Sequence, residues 1–155
     1  VKSFAMQGVR KICLVNGHFE NSWFIVEAID LALRELRWDG ITDLKVVVLS
    51  YWDFVHKEAI AQLYPGGFPG WDVEHGGVLE TSLMLALHPH LVHLDRAVDH
   101  PAASFPPYDV YPVKPEWTPC SGTLSSPKEA SVEKGHILLQ VCTTGIVGAL
   151  RAEFG

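Results

Sequence analysis

Apolar and polar residues follow two rhythms along this chain. Continuous apolar runs over 9–15 and 44–49, rich in β-branched residues, predict two short interior strands. Between them, Ile25, Val26, Ile29, Ala32, Leu33 and Leu36 recur at the 3.6-residue spacing of one helix face, while Glu27, Asp30, Arg34, Glu35 and Arg37 mostly fill the other. This predicts a helix over 21–38, ended by Asp39-Gly40. Strand, helix and strand in this order form a βαβ unit, which requires parallel strands and a right-handed crossover.

The remaining pattern is shorter-ranged. Phe4-Ala5-Met6-Gln7 before Gly8 reads as the last turn of a helix. A short helix is expected over 54–63, then a loop with strong turn chemistry at Tyr64-Pro65-Gly66-Gly67-Phe68-Pro69-Gly70. A second short helix is expected over 78–87, stopped before Pro89. Six prolines between Pro101 and Pro119 predict an extended surface segment. Ser125-Ser126-Pro127 with Glu129 reads as the start of a last helix reaching Phe154. Its buried side is expected to carry Ile137, Leu138, Val141, Ile146, Leu150 and Phe154, with Gly135, Gly145 and Gly148 weakening or kinking it. The opening Val1 and the helix stub behind it lead to the expectation of one α/β domain over 1–155, truncated at its N-terminus.

Composition narrows the class. With 48% hydrophobic and 19% charged residues, the chain can build a core and is too apolar to be disordered. No run of about 18 apolar residues is free of a charge or turn residue, which argues against a transmembrane helix. No signal peptide is visible. Twelve Lys and Arg against 18 Asp and Glu leave a net charge of −6 and no basic cluster, which disfavours nucleic-acid binding. Cys13, Cys120 and Cys142 are an odd number without motif spacing, so a reduced, cytoplasmic setting is expected. Eight His and five Trp in 155 residues are the first hint of chemistry.

In parallel α/β sheets, ligands bind beyond the carboxyl ends of the strands. The first strand runs into Asn16-Gly17-His18-Phe19-Glu20-Asn21 and the second into Ser50-Tyr51-Trp52-Asp53. In extended backbone, His18 and Glu20 leave the same face, and an imidazole beside a carboxylate suits a divalent cation such as Zn or Mn. Asn21 is placed to cap the following helix. The plain alternative is two solvated side chains, and a pair alone leaves a site unfinished. Spacing leaves open which of Asp53, Asp72, Glu74 and His75 contributes further.

A second cluster lies at Glu74-His75-Gly76-Gly77, just before the helix over 78–87. A histidine facing a helix N-terminus is favoured as the neutral base, although a loop hydrogen bond is the simpler role. Glu80, in the first turn, can orient His75 or reach back to an unpaired amide. Trp52 and Trp71 can wall a flat ligand or fill the core. His56, His88, His90, His93, His100 and His136 show no pattern and read as surface or packing residues.

Val15-Asn16-Gly17-His18-Phe19-Glu20-Asn21-Ser22, taken with Glu74-His75-Gly76-Gly77-Val78-Leu79-Glu80-Thr81-Ser82, resembles the creatininase (creatinine amidohydrolase) family. Ser50-Tyr51-Trp52-Asp53-Phe54-Val55, Gly70-Trp71-Asp72, Asp99-His100-Pro101 and Phe105-Pro106-Pro107-Tyr108-Asp109-Val110 extend the resemblance over nearly the whole chain. It implies a three-layer α/β/α fold with a mostly parallel sheet, here lacking its N-terminal part. It implies a cyclic amide hydrolase interconverting creatinine and creatine through two divalent ions, Zn or Mn. By position, His18 resembles a ligand of one ion and Glu20 a ligand of the other. His75 resembles the proton-transferring histidine, with Glu80 beside it. Trp52 and Trp71 resemble the aromatic walls of the substrate pocket. Phe19 stands among the substrate-binding positions where a Tyr is expected, which removes a hydroxyl. The family's preceding segment, with a Glu-x-His pair and a bridging Asp, has no counterpart here, so weak metal binding is expected of this chain alone. The resemblance further implies a homo-hexamer. Other expectations are an amidohydrolase acting on another cyclic amide, or a non-catalytic assembly domain.

Overall fold

The computed structural model describes residues 1–155. The chain forms two compact units, residues 1–54 with 142–155, and residues 55–141. The α/β class is borne out: helices accompany a small parallel sheet.

In the first unit, α1 (Lys2–Met6) leads to β1 (Lys11–Asn16), then α2 (Asn21–Trp38) and β2 (Lys45–Ser50). The two strands pair in parallel from Lys11↔Lys45 to Asn16↔Ser50, as the βαβ reading requires. α2 ends where Gly40 takes φ +78°, a left-handed conformation that costs glycine least. Ile41 N–H then reaches back to Leu36 O at 2.8 Å. Leu36 is fully buried, while Val26, expected on the same stripe, is exposed. Val26 lies about 60–120° around the helix from Ile25, Ile29, Ala32 and Leu36, at the edge of the stripe beyond Leu33.

Two lysines open the strands and grip the end of the last helix, α5 (Val132–Phe154). Lys45 Nζ lies 2.6 Å from the Glu153 carboxylate and donates to Glu153 O at 2.8 Å, while Lys11 donates to Phe154 O. Cations at a helix C-terminus satisfy its free carbonyls and oppose its negative end.

The second unit holds α3 (Lys57–Leu63), α4 (Val78–Leu87), short 3-10 turns and the first part of α5. The expected helix over 54–63 divides into a 3-10 turn at Tyr51–Phe54 and α3, because His56 is extended and its Nδ1 accepts the Ala59 N–H as a cap. The helix over 78–87 is observed at those bounds. α5 begins later than expected from Ser125. Ser126 Oγ donates to Asp99 Oδ1 at 2.7 Å, and the cap is Ser131, whose Oγ accepts Lys134 N–H at 3.2 Å. Ser82 Oγ, fully buried, accepts the Ser131 N–H at 3.1 Å, and Gly135 lies against the Ser82 backbone and Ala86. Contrary to expectation, α5 is long and apolar enough, by length and composition, to cross a membrane. Within it Leu138 is fully buried, and Gly135 and Gly145 each lie close to a neighbour, Ser82 and Phe54 respectively.

Candidate metal and proton-transfer residues

In the first unit the candidate metal-binding residues follow the end of β1. Asn16 is 3% exposed, and its side chain organises the following turn. Its Oδ1 accepts the His18 N–H at 3.1 Å and the Asn21 side-chain amide at 3.3 Å. Its Nδ2 donates to Ser22 Oγ at 3.2 Å and to Ser50 Oγ, at the end of β2, at 3.4 Å. The backbone of residues 17–20 is therefore turned, not extended as expected, with Asn21 N–H on His18 O and Ser22 N–H on Phe19 O. The turn still brings the expected pair together: His18 Nδ1 lies 2.5 Å from Glu20 Oε2. Asn21 does not cap α2, since Glu20 holds the cap position and the Asn21 amide serves Asn16.

Other candidate side chains of this unit follow the ends of the two strands in sequence. Phe19 is half-exposed and meets the Trp23 ring edge-on at 5.5 Å. Trp52 sits in the 3-10 turn after β2 and stacks edge-on with Tyr51 at 5.1 Å. Asp53 Oδ2 accepts the Ser50 N–H at 3.1 Å and so secures the strand end. The imidazole and carboxylate of His18 and Glu20 are suitable donors for Zn or Mn. No three His, Cys, Asp or Glu side chains gather as a metal cluster, so this pair meets part of the about four donors that an ion takes.

In the second unit, Glu74 takes the place at the α4 N-terminus that the sequence pattern assigns to His75. Glu74 Oε1 accepts the Leu79 N–H at 2.6 Å, and Oε2 accepts the Tyr64 hydroxyl. A carboxylate there satisfies free amides and meets the positive end of the helix. Burial nevertheless raises the Glu74 carboxyl above its ordinary range, against the hydrogen bonds from Tyr64 and the helix amides. Burial and the neighbouring Glu74 likewise raise Tyr64, so its phenol stays neutral.

His75 follows on an exposed loop, with its carbonyl accepting Leu124 N–H at 2.9 Å. Glu80 reaches back, and its Oε2 accepts the Gly76 N–H at 2.5 Å. Gly76 has φ +63°, and a Cβ there would lie 2.8 Å from Thr123 Cγ2, so glycine is required twice over. Trp71, 40% exposed, packs edge-on against Phe68 at 5.0 Å, and Phe68 in turn meets Tyr64. Sequence reasoning missed two groups that hold these elements: Asn16 as the brace of the His18 turn, and Glu74 as the cap of α4. The acid five residues before Leu79 was the available signal for the second.

The His18–Glu20 pair at a strand end is of the donor type that holds a divalent cation, and His75 stands on a loop just before α4. The family model described as creatinine amidohydrolase matches residues 1–150, and the chain belongs to the creatininase family. A creatinine amidohydrolase of Pseudomonas putida is 66% identical over 155 residues, which cover 99% of this chain. The chain spans 60% of that relative's length. Solved structures of a Zn-Zn type creatininase mutant and of creatininase with Mn each match with a TM-score of 0.95 and 66% identity. Each match covers 99% of this chain and 60% of the solved one.

Proposed function

We propose that this chain carries metal-binding and proton-transfer residues of a hydrolase that opens creatinine to creatine and runs the reverse closure. The observation that carries the reading is the His18–Glu20 pair, held at 2.5 Å beyond the end of a parallel strand by a buried asparagine. Family membership supplies the substrate class, and the Zn-Zn and Mn forms of creatininase support two divalent cations.

His18 would hold one ion through its imidazole and Glu20 the other through its carboxylate. The chemistry such a pair supplies when bound is a nucleophilic water near neutral pH and a polarised ring carbonyl. His75 accepts a proton as water adds to the carbonyl and returns it to the leaving ring nitrogen, a task matched to an imidazole. Glu80 keeps the Gly76 amide in place, and so fixes the loop that bears His75. Trp52 and Trp71 present flat faces suited to a planar substrate, and Phe19 adds an apolar contact without a hydroxyl. The working assembly is a homo-oligomer.

Titration of the protein with Zn²⁺ and Mn²⁺, followed by a creatinine assay, tests this reading. His18→Ala and Glu20→Gln each lower metal affinity at least about tenfold, as loss of a ligand should. His75→Ala lowers kcat by about 10²–10⁴-fold, the usual worth of a positioned acid-base group, and leaves metal affinity unchanged. Metal affinity indifferent to His18 and Glu20, or a His75→Ala effect confined to KM, overturns it.

A further inference from the structure

His75 can act as a proton carrier only if its loop holds still, and the loop is held from a segment that the proposed mechanism does not use. Residues 99–103 are pinned to residues 121–126 at three places. Ser126 Oγ donates to Asp99 Oδ1 at 2.7 Å, and Ala103 N–H donates to Leu124 O at 2.7 Å. Between them stands His100.

Its Nδ1 faces Pro101 O at 2.8 Å, a carbonyl that only accepts, so Nδ1 carries the proton. In the neutral ring Nε2 is then the acceptor. It lies 2.9 Å from Thr123 Oγ1 and 3.0 Å from Ser121 Oγ, and these two hydroxyls are 3.1 Å apart. Nε2 and the two hydroxyls thus form one mutual cluster that fixes the rotamer of Thr123. The Thr123 methyl, in turn, fills the space over Gly76 where a Cβ would sit at 2.8 Å. The next residue, Leu124, donates its N–H to His75 O at 2.9 Å. The path from His100 to His75 therefore consists of one side-chain hydrogen bond, one van der Waals contact on the following glycine and one backbone hydrogen bond.

We propose that His100, acting through Thr123, is a positioning residue for His75, bracing the loop at Gly76, the glycine whose amide Glu80 also holds. The inference rests on the proposed role of His75 as the proton carrier. Positioning matters at this scale because a misplacement of about 1 Å at a reacting group can cost 10²-fold in rate.

The test uses the whole protein loaded with Zn²⁺. His100→Ala removes the acceptor, His100→Gln supplies an amide oxygen near the position of Nε2, and Thr123→Val keeps the methyl contact while removing the hydroxyl. Creatinine turnover is measured together with the ring ¹⁵N signals of His75, assigned by their loss in His75→Ala. The brace predicts that His100→Ala lowers kcat by about tenfold or more with KM within about twofold. It also predicts shifted His75 ring signals, recovery of both readouts in His100→Gln, and a His100→Ala/Thr123→Val double variant no worse than the poorer single one. Unmoved His75 signals in His100→Ala, or additive losses in the double variant, overturn it. If the unmodified protein does not turn over creatinine, the proposed activity fails, and the His75 ring signals alone then decide the brace.

Discussion

Asn16→Ala is the most revealing single change in the first unit, because one buried amide organises the whole turn that carries His18 and Glu20. Four hydrogen bonds disappear: three between 3.1 and 3.3 Å, to His18 N, Asn21 and Ser22, and one at 3.4 Å to Ser50. A typical intramolecular bond contributes about 1 kcal/mol net. The three shorter bonds therefore amount to about 3 kcal/mol, lowered towards about 2 where water can reach the His18 amide. That is a sizeable share of the about 5–15 kcal/mol that holds an ordinary domain together. Urea unfolding of the two proteins side by side measures the loss, and Ser50→Ala, which breaks only the 3.4 Å bond, is the control. The same substitution frees the turn, so Zn²⁺ affinity should fall although neither His18 nor Glu20 is touched. A loss under about 1 kcal/mol, or a Ser50→Ala variant that loses as much, refutes the argument that Asn16 is the organising group.

The glycines of α5 separate into opposite cases. At Gly148 an added Cβ would meet nothing within 4 Å, so Gly148→Ala should stabilise the protein by about 0.5–1 kcal/mol, whereas at Gly135 the Ser82 backbone and Ala86 stand in the way and Ala should cost about 1–3 kcal/mol. Thermal unfolding reads both, and shifts of the same sign contradict the packing. Burial raises the Glu74 carboxyl, so the folded state holds its proton more tightly than the unfolded chain does. That contribution is complete below the ordinary value near 4.5 and is lost as pH rises through the raised folded value. Relative to Glu74→Gln, the unmodified protein should therefore lose unfolding free energy as pH climbs from acid to neutral; parallel profiles would show that Glu74 is not raised.

Much of the fold is legible in the sequence because local punctuation agrees with tertiary packing. The helix over 78–87 lies between Gly77 and Pro89, and its observed bounds match that punctuation. The βαβ unit follows from two β-branched runs around one amphipathic stripe, and the strands pair as that order demands. The start of the last helix is not legible, because two serine positions compete for the same role. Ser125-Ser126-Pro127 and Ser131 both resemble caps, and the choice between them rests on long-range contacts. Ser126 turns its hydroxyl to Asp99, while the Ser131 N–H is taken by the buried Ser82. Neither partner is near in sequence, so no local signal distinguishes them.

The meeting of His18 and Glu20 is legible in the sequence, and the backbone that brings it about is less so. His18 and Glu20 meet, yet by a turn in place of the extended backbone that their spacing suggests. An extended chain and a turn both bring positions two apart together, so the convergence survives the change in backbone. What settles the matter is Asn16, which spends its amide on residues ahead of it and on Ser50 across the sheet, a combination that appears only once the strands are paired. The loop of His75 shows the same dependence. Residue order places a histidine beside a helix N-terminus, and the preceding carboxylate, a strong acceptor, takes the Leu79 amide there. With Glu74 occupying that end, the dipole no longer acts on His75 alone. Its environment is set instead by what holds the loop: Glu80 through the Gly76 amide, Leu124 through the His75 carbonyl, and Thr123 through van der Waals contact. Residue type points to the candidate group; the groups that hold it still are found by following its backbone.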